Sequence, residues 1–289
     1  TTGAVITTGS GAITATVTRS GGHHASGDII LASTATTGAV TLTTSGNATV
    51  NNGSTALNIA ASSVDGTIGL ITTGNATVVN NDVGLNFGTT TVGGTLTATQ
   101  ATGNITDTGV LTITGTSAFT TGTSNAVITL NTATNDFTGD VSFTTAGTSG
   151  NVTVVDASAF ELDTSTINGN LSVTANGSIT DKNNGVITVT GTADLINQGG
   201  NAHTVDVTDE WHTWGDTVTL YGHHAKVASG GAIKLGDITA TAGQVVVLFR
   251  ELGASKSRDA DSHEHDEVGD EGDELNGHPS LSSSVQTVR

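Results

Sequence analysis

Several residue types are almost missing from the 289-residue chain, which contains no cysteine, no methionine, one proline and only 3% aromatic residues. Without cysteine the chain forms no disulfide and no thiolate zinc site, and it has no cysteine nucleophile. It contains no run of about 18 apolar residues, so we expect no membrane-spanning helix and no membrane insertion. Leu, Glu and Lys, which favour helices, are scarce beside 57 threonines and 39 glycines. The composition therefore predicts an all-β protein with many turns.

Positive charge is also scarce, because 8 basic residues stand against 26 acidic ones and the formal net charge is −18. The acidic residues are densest near the carboxyl terminus, where residues 251–289 hold 10 of them. A surface of this sign repels nucleic acid and anionic lipid, so we expect neither as a partner. The chain lacks methionine and begins with Thr1 inside a repetitive pattern. We therefore expect a product that is processed from a larger secreted precursor.

Two neighbouring segments, residues 37–64 and 65–92, align with each other without a gap. The alignment has an offset of 28 residues, so Val40 matches Ile68. Within each segment the apolar residues lie two positions apart. A spacing of two is typical of strands with one buried face. Gly-Asn and Asn-Gly pairs between the apolar runs supply the turns. Each unit therefore contains three short strands, which form a closed core only when the units stack.

Stacking of such units predicts a right-handed parallel β-helix over residues 1–250, with roughly triangular coils of about 25–28 residues. The hand follows from the crossover rule for parallel strands. About ten coils at ~4.8 Å each give a rod of roughly 50 Å. The side chains that we expect to point inward, each under its aligned counterpart in the following segment, are Val40, Leu42, Val50, Leu57 and Ile59.

The segments TNDFTGDVSF, at residues 134–143, and INGNLSVTANGSITDKNNGVITVTGTADL, at residues 167–195, resemble the repeats of filamentous-haemagglutinin-type exoproteins. The resemblance extends over roughly residues 1–200. It implies a right-handed parallel β-helix on the cell surface or outside the cell of a Gram-negative bacterium, after secretion by the two-partner route. It also implies the role of an adhesin or of an extended stalk.

The composition changes in residues 203–250, which contain both tryptophans and the single tyrosine. The end of a solenoid exposes unpaired strand edges and an open core, so it needs a cap or a partner. We predict that this region is a cap, in which Trp211, Trp214 and Tyr221 close the core or form an end-to-end contact. The alternatives are a carbohydrate site, in which the rings contact sugars, and ordinary packing.

Beyond the cap, we predict an acidic linker at residues 251–279 and a strand-like segment at residues 280–289. The apolar positions of that segment are Leu281, Val285 and Val288. A short strand of this kind pairs with an open solenoid edge, on its own chain or on a neighbour. Head-to-tail pairing between chains does not close into a ring, so we expect end-to-end self-association into a filament.

The acidic linker also contains the strongest candidate for a metal site. Its carboxylates and imidazoles alternate along the chain, at Asp259, Asp261, His263, His265 and Asp266. An EF-hand loop fails here because Glu264 occupies the position that needs glycine. A solvated linker and a weak site for Ca²⁺ or another divalent cation both remain open. We expect no other cofactor.

A β-helix is compatible with several classes of function. The first is a non-enzymatic building block of a surface filament, sheath or adhesin stalk, and its alternative is an adhesin fragment that binds carbohydrate. The second is a polysaccharide lyase or hydrolase, which needs paired carboxylates or acids combined with Arg and Lys. Residues 1–249 contain one Arg and three Lys, so we predict a structural protein of the cell surface or extracellular space and not an enzyme.

Binding to a surface through a threonine array is a third possibility. It needs Thr-x-Thr at the same place in every coil. At the 28-residue offset, Thr41 and Thr43 are followed by Gly69 and Ile71, so the array is expected to break.

Overall fold

The structure is a computed structural model, and it describes residues 10–17, 27–32, 34–82, 84–200, 202–209, 211–250 and 283–288. Every regular element in this part of the chain is a β-strand. The described residues thus include no helix of the length and apolarity that crossing a membrane requires.

Thirty short strands follow one another in the part of the chain that the structure describes. The first fifteen are β1 (Ile13–Thr16), β2 (Ile29–Leu31), β3 (Ala39–Thr44), β4 (Ala48–Gly53), β5 (Leu57–Val64), β6 (Thr67–Thr72), β7 (Ala76–Asn80), β8 (Gly84–Phe87), β9 (Thr90–Val92), β10 (Leu96–Gln100), β11 (Asn104–Asp107), β12 (Leu111–Ile113), β13 (Ser117–Ser124), β14 (Ile128–Leu130) and β15 (Asp136–Phe137). The others are β16 (Val141–Ala146), β17 (Val152–Asp156), β18 (Phe160–Leu162), β19 (Ser165–Ile167), β20 (Leu171–Ala175), β21 (Ile179–Asp181), β22 (Ile187–Val189), β23 (Ala193–Asn197), β24 (Val205–Val207), β25 (Thr213–Trp214), β26 (Thr217–Gly222), β27 (Ala225–Ser229), β28 (Lys234–Ala240), β29 (Val245–Arg250) and β30 (Ser283–Val288).

The strands wind into a stack of about 11 coils. The coil formed by β7, β8 and β9 is an example, because β10, β11 and β12 pair in parallel with these three strands in turn. The hydrogen-bonded strands form one 16-stranded sheet and one 14-stranded sheet that run along the stack. The predicted fold, an all-β parallel solenoid, is confirmed.

The coils are mostly shorter than the sequence offset indicated. Val40 pairs with Ile59, and Val50 pairs with Leu70, so one coil here takes about 20 residues, the lower end of the range for solenoid repeats. Among the parallel pairs in the described residues, the widest spacing joins Ile13 to Val40. The prediction that inward side chains lie under their aligned counterparts is therefore wrong, and so is a general coil length of about 25–28 residues.

The 28-residue repeat has its origin in the corners of the coils. The motif Gly-Asn-Ala-Thr-Val occurs at residues 46–50 and again at residues 74–78. The first copy leads into β4 in the 14-stranded sheet, and the second leads into β7 in the 16-stranded sheet. The sequence offset thus equals one coil plus one further side. The same corner and strand are used on two different faces.

The apolar alternation fills the inside of the coils, as predicted. Each of the side chains expected to point inward is at most 2% exposed, namely Val40, Leu42, Val50, Leu57 and Ile59. The middle coils also enclose five phenylalanines with neighbouring ring centroids 5.9–6.3 Å apart, at positions Phe87, Phe119, Phe137, Phe143 and Phe160. Edge-to-face and stacked pairs at this distance stabilise a core beyond the area that they bury. One apolar cluster extends from the first coil to the last.

Asparagines at the corners connect successive coils. The Oδ1 atom of Asn75 accepts a hydrogen bond from the backbone N–H of Thr95 at 2.9 Å. The same bond, to a residue about one coil further on, is made by Asn47, Asn151 and Asn170. The frequent Gly-Asn pairs therefore connect neighbouring coils as well as forming turns.

Residues 203–250 continue the solenoid, and their role as its cap stays a prediction. Their strands β24–β29 extend the two sheets with parallel pairing. The apolar alternation through Val205, Val207, Val218 and Leu220 keeps these side chains buried, which explains why the coils continue. The predicted acidic linker, residues 251–279, lies outside the described residues. Within the predicted terminal segment, residues 283–288 form β30.

Candidate functional surfaces

A column of threonines runs along the outside of the 16-stranded sheet. Its members occupy the same register position in six successive coils, namely Thr99, Thr120, Thr144, Thr166, Thr188 and Thr213. All six are exposed or half-buried. We refer to these six residues as the threonine column. Neighbouring members are separated by the strand spacing of about 4.8 Å.

The Thr-x-Thr array is interrupted as expected, because Thr97, two positions before Thr99, pairs with Ala118; a single column of threonines remains. That expectation rested on the 28-residue offset, at which Thr43 aligns with Ile71. In the structure Thr43 pairs with Ser63, another hydroxyl residue. Within the described residues, no hydroxyl of the threonine column forms a hydrogen bond with another protein group. The column therefore presents a row of hydroxyl and methyl groups to the solvent.

The aromatic residues predicted to close the solenoid end do not act together. Trp214 is only 5% exposed, and its Nε1 atom donates to the carbonyl of Ala228 at 2.9 Å. Its strand β25 pairs with β22 and with no later strand among the described residues, and its role in closing the core stays a prediction. Trp211 is half-buried, whereas Tyr221 is 44% exposed on β26.

Tyr221 lies beside a small depression lined also by Asn197, Gln198 and Thr241, with a volume of about 70 Å³. Sites that enclose a small molecule usually measure at least about 300 Å³. A sugar at this position would therefore contact the exposed ring face without being enclosed.

The two sheets end differently at the carboxyl end of the solenoid. The 14-stranded sheet ends at β28, whose described strand partner is β26. The 16-stranded sheet continues from β29 to β30, which runs antiparallel to it. Two of the three predicted apolar positions, Val285 and Val288, belong to β30, and the third, Leu281, lies outside the described residues. The predicted edge pairing thus occurs within one chain.

The predicted metal ligands Asp259, Asp261, His263, His265 and Asp266 lie outside the described residues, so the cation site stays a prediction. In the part of the chain that the structure describes, no three His, Asp or Glu side chains converge on a common point suited to a metal ion. His223 and His224 contact each other edge to face, with ring centroids 4.6 Å apart. The Nδ1 atom of His224 accepts the backbone N–H of Gln244 at 2.9 Å, which fixes that ring to the next coil.

Buried acidic residues at inner corners were missed by the sequence reasoning. Asp107, Asp156 and Asp181 are each the last residue of a strand. The alternation of the strand directs each side chain inward, and each is at most 7% exposed. Asp181 lies beside the fully buried His212, with Oδ2 and Nε2 2.9 Å apart. Because Nδ1 of His212 accepts the backbone N–H of Ile187, Nε2 is the atom that donates to Asp181. An aspartate at an inward position of an apolar alternation is the signal that identifies such residues.

Burial raises the pKa of Asp156, although hydrogen bonds from the backbone N–H groups of Phe137 and Ser158 partly oppose this effect. A hydrogen bond between the exposed Asp65 and the half-buried Asp82 raises the pKa of the Asp65 carboxyl group. The carboxyl group of Asp156 is enclosed in the core, whereas that of Asp65 lies on the surface. Their positions favour structural roles for both.

Every described lysine pairs with an aspartate about one coil earlier in the chain. The Nζ–carboxylate distances are 3.0 Å for Lys182 and Asp163, 2.7 Å for Lys226 and Asp206, and 3.2 Å for Lys234 and Asp216. A second carboxylate, that of Asp140, lies 2.6 Å from Lys182. Together these hydrogen bonds raise the pKa of Lys182, with Asp140 as the largest cause. The pairs neutralise the lysines and leave the outer surface predominantly acidic.

Comparison with known proteins gives one family. The model of the family described as Repeats of unknown function (DUF5649) matches residues 73–144 and 149–221. No curated protein and no solved structure matches the chain. Each matched segment spans more than three coils, the first from β7 into β16 and the second from β17 into β26. Because the two matches cover just over half of its length, the chain belongs to the DUF5649 family of repeats.

Proposed function

We propose that the protein is a non-enzymatic structural protein of the bacterial cell surface or extracellular space. In this proposal it is a β-solenoid building block of a filament, sheath or adhesin stalk, and copies associate end to end. The finer assignment, to filamentous-haemagglutinin-type proteins secreted by the two-partner route, rests on the resemblance of residues 134–143 and 167–195.

The observation that carries the proposal is the uninterrupted stack of parallel coils with strand edges at its carboxyl end. About 11 coils form a rod of roughly 50 Å. Parallel strands at the end of such a rod present unpaired N–H and C=O groups, which are a template for another chain. The last strand of the 14-stranded sheet, β28, has a described partner on one side only, which favours addition of a second copy.

Electron microscopy and analytical ultracentrifugation of the full chain test this proposal. We expect rods whose lengths are multiples of about 50 Å and whose proportion rises with protein concentration. Single rods that do not associate up to the solubility limit would contradict end-to-end assembly. Release of reducing or unsaturated sugars from acidic or neutral polysaccharides would contradict a non-enzymatic role.

A second candidate function is adhesion to carbohydrate, and the threonine column favours it. A row of hydroxyl groups at regular spacing offers repeated donors and acceptors to a polymer with repeated hydroxyl groups of its own. The methyl groups between them contribute apolar contact at little cost in conformational entropy, because Thr is stiff at χ1.

Substitution of three members of the column tests this candidate. The triple variant Thr144→Val, Thr166→Val and Thr188→Val removes the hydroxyl groups and keeps the branched shape. Thr106, Thr129 and Thr153 form a similar outward row on the other sheet, and their replacement by Val is the matched control. We expect co-sedimentation with insoluble polysaccharides to fall in the first variant alone. Equal binding by both variants would contradict the role of the column.

A further inference from the structure

The pairing at the carboxyl end differs from every other described strand pairing. The strand pairs from β1 to β29 are all parallel, whereas β30 runs antiparallel to β29. The contact covers the whole length of β29, from Val245 opposite Val288 to Arg250 opposite Ser283. The outward backbone groups of β29 are thereby used, because one strand edge accepts a single partner along its length.

The edge that β30 covers is one that a second copy of the chain would need. In the described residues the 16-stranded sheet begins at β1, and β2 pairs only with β4 at the start of the 14-stranded sheet. An incoming first coil therefore carries one strand for each sheet. Its β2 has an accessible target in β28, since the described partner of β28 is on the opposite side. Its β1 would pair with β29, but the edge of β29 is already paired with β30.

The composition of β30 favours pairing through the backbone over side-chain burial. Four of its six residues are polar, and Val285 and Val288 have opposite parity. The sequence of this strand therefore lacks the alternation of apolar residues that is typical of the other strands. The segment that joins it to β29, residues 251–282, has 10 acidic and two basic residues.

From these observations we propose that β30 is a displaceable cover on the β29 edge, and that the surface beneath it is the docking site for the first coil of a second copy of this chain. The inference rests on the proposed end-to-end assembly and adds that β30 controls when this assembly begins. An attached strand competes at an effective concentration on the order of 1 mM, so at lower protein concentrations it holds the edge against a second copy. Assembly then starts only when β30 leaves.

The variant Val285→Pro/Gln286→Pro tests the proposal in the full chain. Two adjacent prolines remove two neighbouring backbone N–H groups of β30, one of which points to each edge of the strand. The length and net charge of the chain are unchanged. The control variant, Ser255→Pro/Ser257→Pro, places the same two residues in the acidic segment. We expect the concentration at which rods associate to fall about tenfold or more in the β30 variant alone. In its monomers, hydrogen exchange should also become faster at outward amides of β29.

The possible outcomes separate this inference from the proposed function. Association at the same concentration in the wild type and both variants would overturn the role of β30 and leave end-to-end assembly supported. Absence of association in all three proteins would overturn both. Stronger association of the control variant would assign the effect to the acidic segment, and this too would overturn the proposal.

Discussion

At the residue scale, the exposed asparagines are the contacts that tie one coil to the next. Asn75 accepts a hydrogen bond from the backbone N–H of Thr95. We expect Asn75→Ala to reduce the free energy of unfolding by about 0.5–1.5 kcal/mol, the usual net value of one hydrogen bond. Asn75→Asp keeps an acceptor oxygen at this position, so it should retain most of that stability. Urea denaturation measures both variants, and equal losses would contradict a role for the oxygen.

Asp156 makes the stability of the fold depend on pH. Burial is the main cause that raises its pKa above the ordinary value of 3.8. Because the folded-state pKa is the higher one, protonation favours the folded state. This contribution is complete below about pH 3.8 and is lost as the pH rises through the raised pKa. We expect the stability of the wild type relative to Asp156→Asn to decrease from pH 4 to pH 7.

Urea midpoints at several pH values measure this difference. Asp237→Asn removes an equal charge from an exposed position and controls for the change in net charge. A constant difference between the wild type and Asp156→Asn across this pH range would contradict the effect of burial.

At the scale of the strand and its corner, close stacking of glycines limits the side chains that the corner accepts. A Cβ atom added to Gly115 would lie 2.5 Å from the carbonyl oxygen of Gly94 in the coil below. We expect Gly115→Ala to destabilise the fold by about 1–3 kcal/mol, because backbone atoms must move. Gly231→Ala is the matched control, since its Cβ would meet no atom within 4 Å. A loss of stability in the control equal to that of Gly115→Ala would contradict the steric explanation.

The same corners explain which parts of the fold the sequence could predict. Alternation of apolar residues predicted the strands, the buried face and the need for stacking, and Val40 and Ile59 are buried accordingly. The register could not be predicted from the strongest repeat, because the corner containing Asn47 recurs at Asn75 on a different face. A sequence repeat reports a repeated local structure and need not equal one turn of the solenoid.

The candidate surfaces were predicted less well than the fold, and the reasons are physical. Trp214 was predicted to close the solenoid end, and the structure shows only that the alternation around it places the ring inside a coil. The threonine column was missed because its members become neighbours only in the true register, for example Thr144 beside Thr166. The terminal strand was predicted from Val285 and Val288, and the structure adds its antiparallel direction and its partner β29.

At the scale of the whole molecule, the solenoid behaves as a series of coils in which each coil contacts its neighbours. Stability in such a fold is approximately a sum of coil and interface contributions. A complete coil can then be removed if the coils on either side can meet in the same register. The length of the segment that can be removed identifies the structural unit.

Deletion of residues 57–75 removes β5 and β6, one coil in the observed register. Leu57 pairs with Ala76, so joining residue 56 to residue 76 replaces β5 with β7 on the same face, and β4 still leads into the 16-stranded sheet. We expect this one-coil deletion to yield a folded solenoid with a strong β signal in circular dichroism and cooperative urea unfolding.

Deletion of residues 65–92 removes one complete sequence repeat and serves as the comparison. It joins β5 almost directly to β10, and because both strands belong to the same sheet, no segment remains to lead the chain around the coil. We expect that variant to lose its β signal or to aggregate. A folded repeat-length deletion beside an unfolded one-coil deletion would overturn the observed register.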